Sequence, residues 1–116
     1  MLGLTTNHRY YLCREATDMR KGFDGLSGLV RQNLEANPLD GSVYIFINRR
    51  RDRMKLLVWE PSGFVLYYKR LERGTFELPV GQDNCGKTQL PWEVLMLLIS
   101  GISLKSVHYR KRYKRA

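Results

Sequence analysis

The feature that most constrains this chain is the stretch over residues 42–79, SVYIFINRRRDRMKLLVWEPSGFVLYYKRLERGTFELP. It carries three short apolar runs, residues 43–47, 54–59 and 64–68. Each is rich in β-branched or aromatic residues that suit a pleated, largely buried strand. Between the second and third runs lies Glu60-Pro61-Ser62-Gly63. Pro61 presets φ for the first central turn position and Gly63 accepts the φ > 0 needed to re-enter a ladder, so a hairpin is expected. The earlier reversal, Arg49-Arg50-Arg51-Asp52-Arg53, has no glycine and leaves its turn type open. It sets four guanidinium groups around one carboxylate. A meander of this kind packs one face on helices and leaves the other to water or a partner. Its cations gather at strand ends: Arg49, Arg50, Arg51, Arg53 and Lys55 at one reversal, then Lys69, Arg70 and Arg73 where the third strand leaves. Neighbouring strands lie about 5 Å apart. The two groups form one patch only if strand register brings them to the same end of the sheet.

Upstream, Tyr10-Tyr11-Leu12-Cys13 is a short apolar run that suits an edge strand. Thr17 or Asp18 can cap a helix by accepting hydrogen bonds from its free first N–H groups. Phe23, Leu26, Val30 and Leu34 follow at spacings of 3, 4 and 4, a helical stripe that Leu29 widens. Gly22, Gly25 and Gly28 lie within it, each costing about 1 kcal/mol relative to alanine in a helix interior. They point to a late helix start or to close approach of another backbone. The helix ends within residues 33–37, since Pro38 blocks continuation. Asp40-Gly41 then turns the chain into the sheet.

Downstream, residues 77–87 read as a connecting loop and residues 88–100 as a second helix, with Pro91 in its first turn. Trp92, Leu95, Met96, Ile99 and Ile102 form its apolar face, broadened by Leu97 and Leu98. Such a helix is buried against the sheet or, alternatively, at a subunit interface. The expected fold is α+β: a small antiparallel β-meander of three to four strands packed against two helices, with a basic C-terminal tail. Residues 1–104 form a single domain in this reading, and residues 105–116 a flexible tail.

Charge placement matters more than its total. The net charge is +9, but residues 105–116 hold six Lys/Arg and no acid, so residues 1–104 carry only +3 from 14 basic and 11 acidic groups. The tail interleaves Arg110, Lys111 and Arg112 with Tyr109 and Tyr113, cations for phosphates and rings for bases. The arginines of residues 49–53 add a structurally held cluster whose planar forks match phosphate geometry. Arg20-Lys21-Gly22, near a helix start, has the ingredients of an anion site; pairing with Asp18 and Asp24 is the alternative.

Other chemistries find little material. His8 and His108 have no nucleophile or carboxylate at a suggestive spacing, and with Cys13 and Cys85 they make no zinc pattern. No phosphate loop, dinucleotide fingerprint, helix-turn-helix or zinc finger is present. Enzymatic activity, a metal and a cofactor are therefore not expected, unless folding gathers Asp18, Asp24 and Glu60. The two cysteines suit reduced thiols. The first residues lack a signal-peptide pattern. The longest apolar run, residues 94–104, is broken by Ser100, Gly101 and Ser103 and falls short of the ~20 residues a membrane span needs. A cytoplasmic protein with no membrane partner is the expectation.

At TDMRKGFDGL, followed by PLDGSVYIFINRRRDRMKLLVWEPSGFVLYYKRLERGTFELP, the chain resembles a known family. This is the small accessory protein, often called TnpB, encoded by the second reading frame of insertion sequences of the IS-sixty-six type, and distinct from the RNA-guided nuclease sharing that label. The resemblance covers residues 11–104 and is most specific over 17–26, 48–55 and 68–74. LPWEVLMLLISGISL matches the family's closing helix more loosely, with Pro91 where a small polar or charged residue is usual. The resemblance implies a role in transposition beside a separate transposase and carries over no catalytic residue. The matching positions are Asp18, Arg20, Lys21, Arg50, Arg51, Arg53, Lys69, Arg70 and Arg73. With Arg49 and the tail's Arg110, Lys111 and Arg112, these cations are the expected DNA contacts. The alternative is a protein-interaction module whose arginines meet acidic groups on the transposase, with Trp59, Tyr67 or Trp92 as anchors.

Overall fold

The computed structural model describes residues 3–79 and 86–101. The elements run β1 (Tyr10–Cys13), α1 (Phe23–Gln32), β2 (Val43–Ile47), β3 (Arg53–Glu60), β4 (Gly63–Arg70), β5 (Lys87–Leu90) and α2 (Trp92–Ile99). The α+β class and the meander of β2, β3 and β4 are as expected. The sheet is larger, however: five strands in the order β4-β3-β2-β1-β5, with β1 parallel to β2 and every other pairing antiparallel.

Two expectations about strands change. Residues 10–13 form an interior strand rather than an edge, because Tyr10, Leu12 and Cys13 are all buried and need cover on both sides. Residues 88–90 belong to β5, paired with β1, and not to a helix. Pro91 explains the boundary. A proline disfavours helical backbone in the residue before it, so Leu90 stays extended and α2 begins only at Trp92.

α1 also starts later than a cap at Thr17 or Asp18 would place it. Gly22 is the N-cap and offers no side-chain oxygen. Thr17 instead donates its N–H to the carbonyl of Ile47 (2.9 Å), and Asp18 accepts from the N–H of Arg20 (2.9 Å). The late start leaves Phe23, expected on the buried stripe, 48% exposed at the helix's first residue.

Both faces of the sheet are covered, not one. All five residues of β2, VYIFI, are buried. Tyr44 and Phe46 join Leu57 under α1, whose Leu26 and Val30 pack there with Leu34. Val43, Ile45 and Ile47 join Met54, Leu56 and Val58 under α2, whose Leu95 and Leu98 are buried in the same cluster. Packing on the sheet is thus the fate of α2. The absence of apolar/polar alternation in β2 is the sequence trace of this double burial.

The second face has a further member from the segment that follows β4. Phe76 is completely buried in the α2-side cluster, and its N–H donates to the carbonyl of Arg51 (2.6 Å). Deleting a buried phenyl ring leaves a cavity as well as losing transfer free energy. Phe76→Ala is expected to destabilise the fold by about 3–5 kcal/mol, as for other buried aromatic truncations. Urea denaturation measures this, and a loss below about 1 kcal/mol would remove Phe76 from the core.

Candidate nucleic-acid interface

Register decides where the cations meet. Arg53, the first residue of β3, lies directly opposite Arg70, the last of β4. Ile47 pairs with Met54, so the turn carrying Arg49, Arg50 and Arg51 sits at that same end. The bond from Thr17 to Ile47 brings Arg20 and Lys21 there as well. Arg73 follows β4 out of the sheet, and the N–H of Leu71 anchors that exit on the carbonyl of Asp52 (2.8 Å). Three basic segments far apart in sequence therefore converge on one end of the sheet.

The glycine-free turn is built by Asn48, a residue the sequence reading passed over. Its side-chain oxygen accepts from the N–H groups of Asp52 and Arg53 (both 3.0 Å), and its amide donates to the Asp52 carboxylate (2.7 Å). Its backbone carbonyl accepts from the N–H of Arg51 (3.0 Å). Arg51 takes the left-handed conformation, φ 60°, that a glycine would usually supply. Asparagine's habit of bonding its own backbone a few residues on was the available signal. Asp52 is thereby held by Asn48 rather than by the arginines around it. Among the described residues, the guanidiniums of Arg49, Arg50, Arg51 and Arg73 have no hydrogen bond or ion pair.

The turn forms a ridge between two clefts, each of about 360 Å³. Arg50 and Arg53 line one, with Arg20, Asn48 and Tyr68. Arg49 and Arg51 line the other, with Arg14. Arg53 Nη1 donates to the Tyr68 hydroxyl (3.2 Å), and Arg70 is paired with Glu72 (2.8 Å). Arg20 grips Asp18 through Nε and Nη2, the shortest contact being 2.7 Å. That grip, first through the side-chain hydrogen bonds and then through the backbone N–H, holds the Asp18 carboxyl down at about 2. An unfolded aspartate titrates near ~3.9. The pair's contribution is therefore complete above about pH 4 and is lost as pH falls towards 2.

Two lysines counted with this surface are committed elsewhere. Lys55 is buried at 6% exposure, and its ammonium donates to the carbonyls of Met19 (2.7 Å) and Lys21 (2.8 Å). It also lies 4.6 Å from the ring centroid of Tyr68, its cross-strand partner. Lys69 points to the opposite face, where it donates to the carbonyl of Ile99 (2.7 Å) at the end of α2, a position that favours a cation. Arg110, Lys111 and Arg112 lie outside the described residues, as do Cys85, His108, Tyr109 and Tyr113. Cys13 is a buried free thiol, and burial raises its pKa.

The carboxylates are not gathered. Asp18 lies at the arginine end, whereas Glu60 pairs with Gly63 at the far end of the β3–β4 ladder. Among the described residues no three His, Cys, Asp or Glu side chains approach one another as metal ligands would. Nor is any described helix long and apolar enough to cross a membrane.

Comparison with known proteins agrees with the basic turn and meander that first suggested a family. The family model described as IS66 Orf2-like protein matches residues 8–109. The chain belongs to the IS66 Orf2-like family. Similar proteins include uncharacterized protein y4jC of Sinorhizobium fredii, 34% identical over 115 residues, covering 99% of this chain and 96% of that one. Uncharacterized protein y4hO of the same organism is 35% identical over 102 residues, covering 88% and 87%. No solved structure matches the chain. IS66 Orf2-like proteins are accessory proteins of insertion sequences, so the role of this chain lies in transposition.

Two substitutions test this geometry. Lys55→Met keeps the apolar stem but strips the donors from the Met19 and Lys21 carbonyls, and should cost about 1–3 kcal/mol. Amide hydrogen exchange should accelerate across residues 19–26; unchanged exchange there would show that the turn stands without the lysine. Asp18→Asn retains an oxygen for the Arg20 N–H but releases the guanidinium. Anion affinity should then rise, with the salt slope steepening by about one unit if DNA is the anion.

Proposed function

We propose that this protein contacts DNA through phosphates with the arginine-rich end of its sheet while a separate transposase supplies the chemistry. The observation that carries the reading is Arg53 opposite Arg70, beside a turn with three guanidiniums that have no partner among the described residues. Like charges directly across a ladder are unfavourable, by roughly 0.2–1 kcal/mol. A phosphate placed between them reverses the sign of that term. The contacts in this reading are Arg20, Lys21, Arg49, Arg50, Arg51, Arg53, Arg70 and Arg73, with Arg110, Lys111 and Arg112 of the tail adding affinity. Lys69 is left out because its ammonium serves α2.

A fluorescence-anisotropy titration of the whole chain on element-end and unrelated duplex DNA, at several salt concentrations, tests it. Arg50→Ala with Arg51→Ala should flatten the slope of log affinity against log salt by about two units. An unchanged slope would eliminate the turn as the contact. Replacing Arg110, Lys111 and Arg112 by glutamine should leave most of the salt dependence in place, and its complete loss would move the DNA contact to the tail.

Among the described residues no strand pairs with the outer side of β4, which favours a second reading, in which the transposase is gripped directly. β4 is an eight-residue edge strand without a proline, the kind of edge to which an extended partner segment adds. The anchors suggested for such a module are already engaged within the fold: Tyr67 and Trp92 pack on the α2-side core, and Trp59 packs against Phe64 (ring centroids 5.0 Å). Co-purification with the transposase that survives nuclease treatment would support this reading over DNA bridging.

A further inference from the structure

The DNA-binding reading leaves one residue of the interface unexplained. Tyr68 is 48% exposed at the arginine end of the sheet, in the same cleft as Arg20, Arg50 and Arg53. Large exposed aromatics on a sheet are ordinary when they are loose. This one is fixed at both of its chemical handles. Arg53 Nη1 donates to its hydroxyl (3.2 Å), and the buried Lys55 ammonium lies over its ring, 4.6 Å from the centroid. Lys55 is itself immobilised by two carbonyls, so the ring rests on a fixed support. A side chain already held in one orientation loses little further freedom on binding.

We propose that this cleft takes an unpaired nucleotide of single-stranded DNA, with the base stacked on Tyr68 and the adjoining phosphates met by Arg50, Arg53 and Arg20. The inference rests on the DNA-binding reading and adds the class of DNA. Proteins that hold single strands combine cations tracking the backbone with aromatic faces on which bases stack. Paired bases in a duplex keep their faces against their neighbours and cannot reach such a ring. The cleft's 360 Å³ falls at the small end of ligand pockets, about 300–1,000 Å³. Asn48 stands on the cleft wall with its side chain consumed by the turn, and Asp18 and Asp52 are held by Arg20 and Asn48. The cleft thus offers stacking and phosphate contacts, and no described group is placed to read one base against another. Strand binding without sequence preference follows.

The test uses the full chain, titrated by anisotropy at fixed salt against labelled oligo(dT), an abasic strand of the same length, oligo(U), and a duplex. The wild-type protein should prefer oligo(dT) to the duplex and to the abasic strand. Tyr68→Leu should weaken oligo(dT) binding about 5- to 150-fold, the range equivalent to one stacked base, and weaken duplex binding by far less, the part due to release of Arg53. Tyr68→Phe, which keeps the ring and loses only the hydroxyl, should bind oligo(dT) within a few-fold of wild type. On the abasic strand Tyr68→Leu should cost no more than on the duplex, because the base it would stack on is missing. Equal losses on oligo(dT), abasic strand and duplex would mean that Tyr68 acts only through Lys55 and the fold, and would overturn the proposal. No loss on oligo(dT) would overturn it too, and tighter binding to oligo(U) than to oligo(dT) would replace DNA by RNA. Duplex binding that persists in either case leaves the broader DNA reading intact, whereas failure of the wild-type chain to bind any strand would remove both.

Discussion

The ammonium of Lys55 is buried at the charged end of the sheet, where it donates to the carbonyls of Met19 and Lys21 and lies over the ring of Tyr68. An ammonium withdrawn from water must find acceptors nearby, and carbonyls supply them through charge-assisted bonds. The consequence is structural. The segment before α1 has no side-chain helix cap; Lys55, the bond from Thr17 to Ile47 and the packing of Met19 on the α1-side core fasten it to the sheet. Through that fastening Arg20 reaches the cleft beside Arg50 and Arg53. One buried cation thus helps to place an exposed one, Arg20.

The exposed cations sit in an arrangement that folding alone would not favour. Arg53 faces Arg70 across the ladder, and Arg51 holds a left-handed backbone conformation that costs an L-residue about 1–2 kcal/mol. The structure offsets this locally. Asn48 satisfies two N–H groups of the turn and the Asp52 carboxylate, and the carbonyls of Arg51 and Asp52 receive the N–H groups of Phe76 and Leu71. Phe76 ties the same turn to the core on the α2 face. Local conflict held in place by a well-packed surround is the pattern expected where a surface serves a partner rather than the fold.

Membership of the IS66 Orf2-like family places the chain in transposition, and its architecture separates two surfaces that such a role can use. The end of the sheet carries guanidiniums without a partner among the described residues, and a fixed tyrosine ring. The outer side of β4 pairs with no other strand among the described residues. The first surface suits a polyanion and the second an extended polypeptide, and they meet at Arg70, where β4 ends.

The sequence by itself determined the three strands of the meander, through runs of β-branched and aromatic residues, and the β3–β4 hairpin, through Pro61 and Gly63. It also determined the buried stripe of Leu26, Val30 and Leu34, and the family, through the segments around Arg20, Arg50 and Arg70. These are local signals: a turn residue or a period of two or 3.6 acts over a few positions. Tertiary structure alone decided that the basic segments share one end of the sheet, because register is set by how whole hydrophobic faces pair and not by any single residue. It decided that residues 87–90 pair with β1, since a four-residue strand is stable only when a neighbour accepts its hydrogen bonds. It also sorted cations that look alike in sequence. Lys55 and Lys69 became internal donors because carbonyls from distant segments receive them, while Arg49, Arg50 and Arg51 have no partner among the described residues because Asn48 took the one carboxylate within their turn.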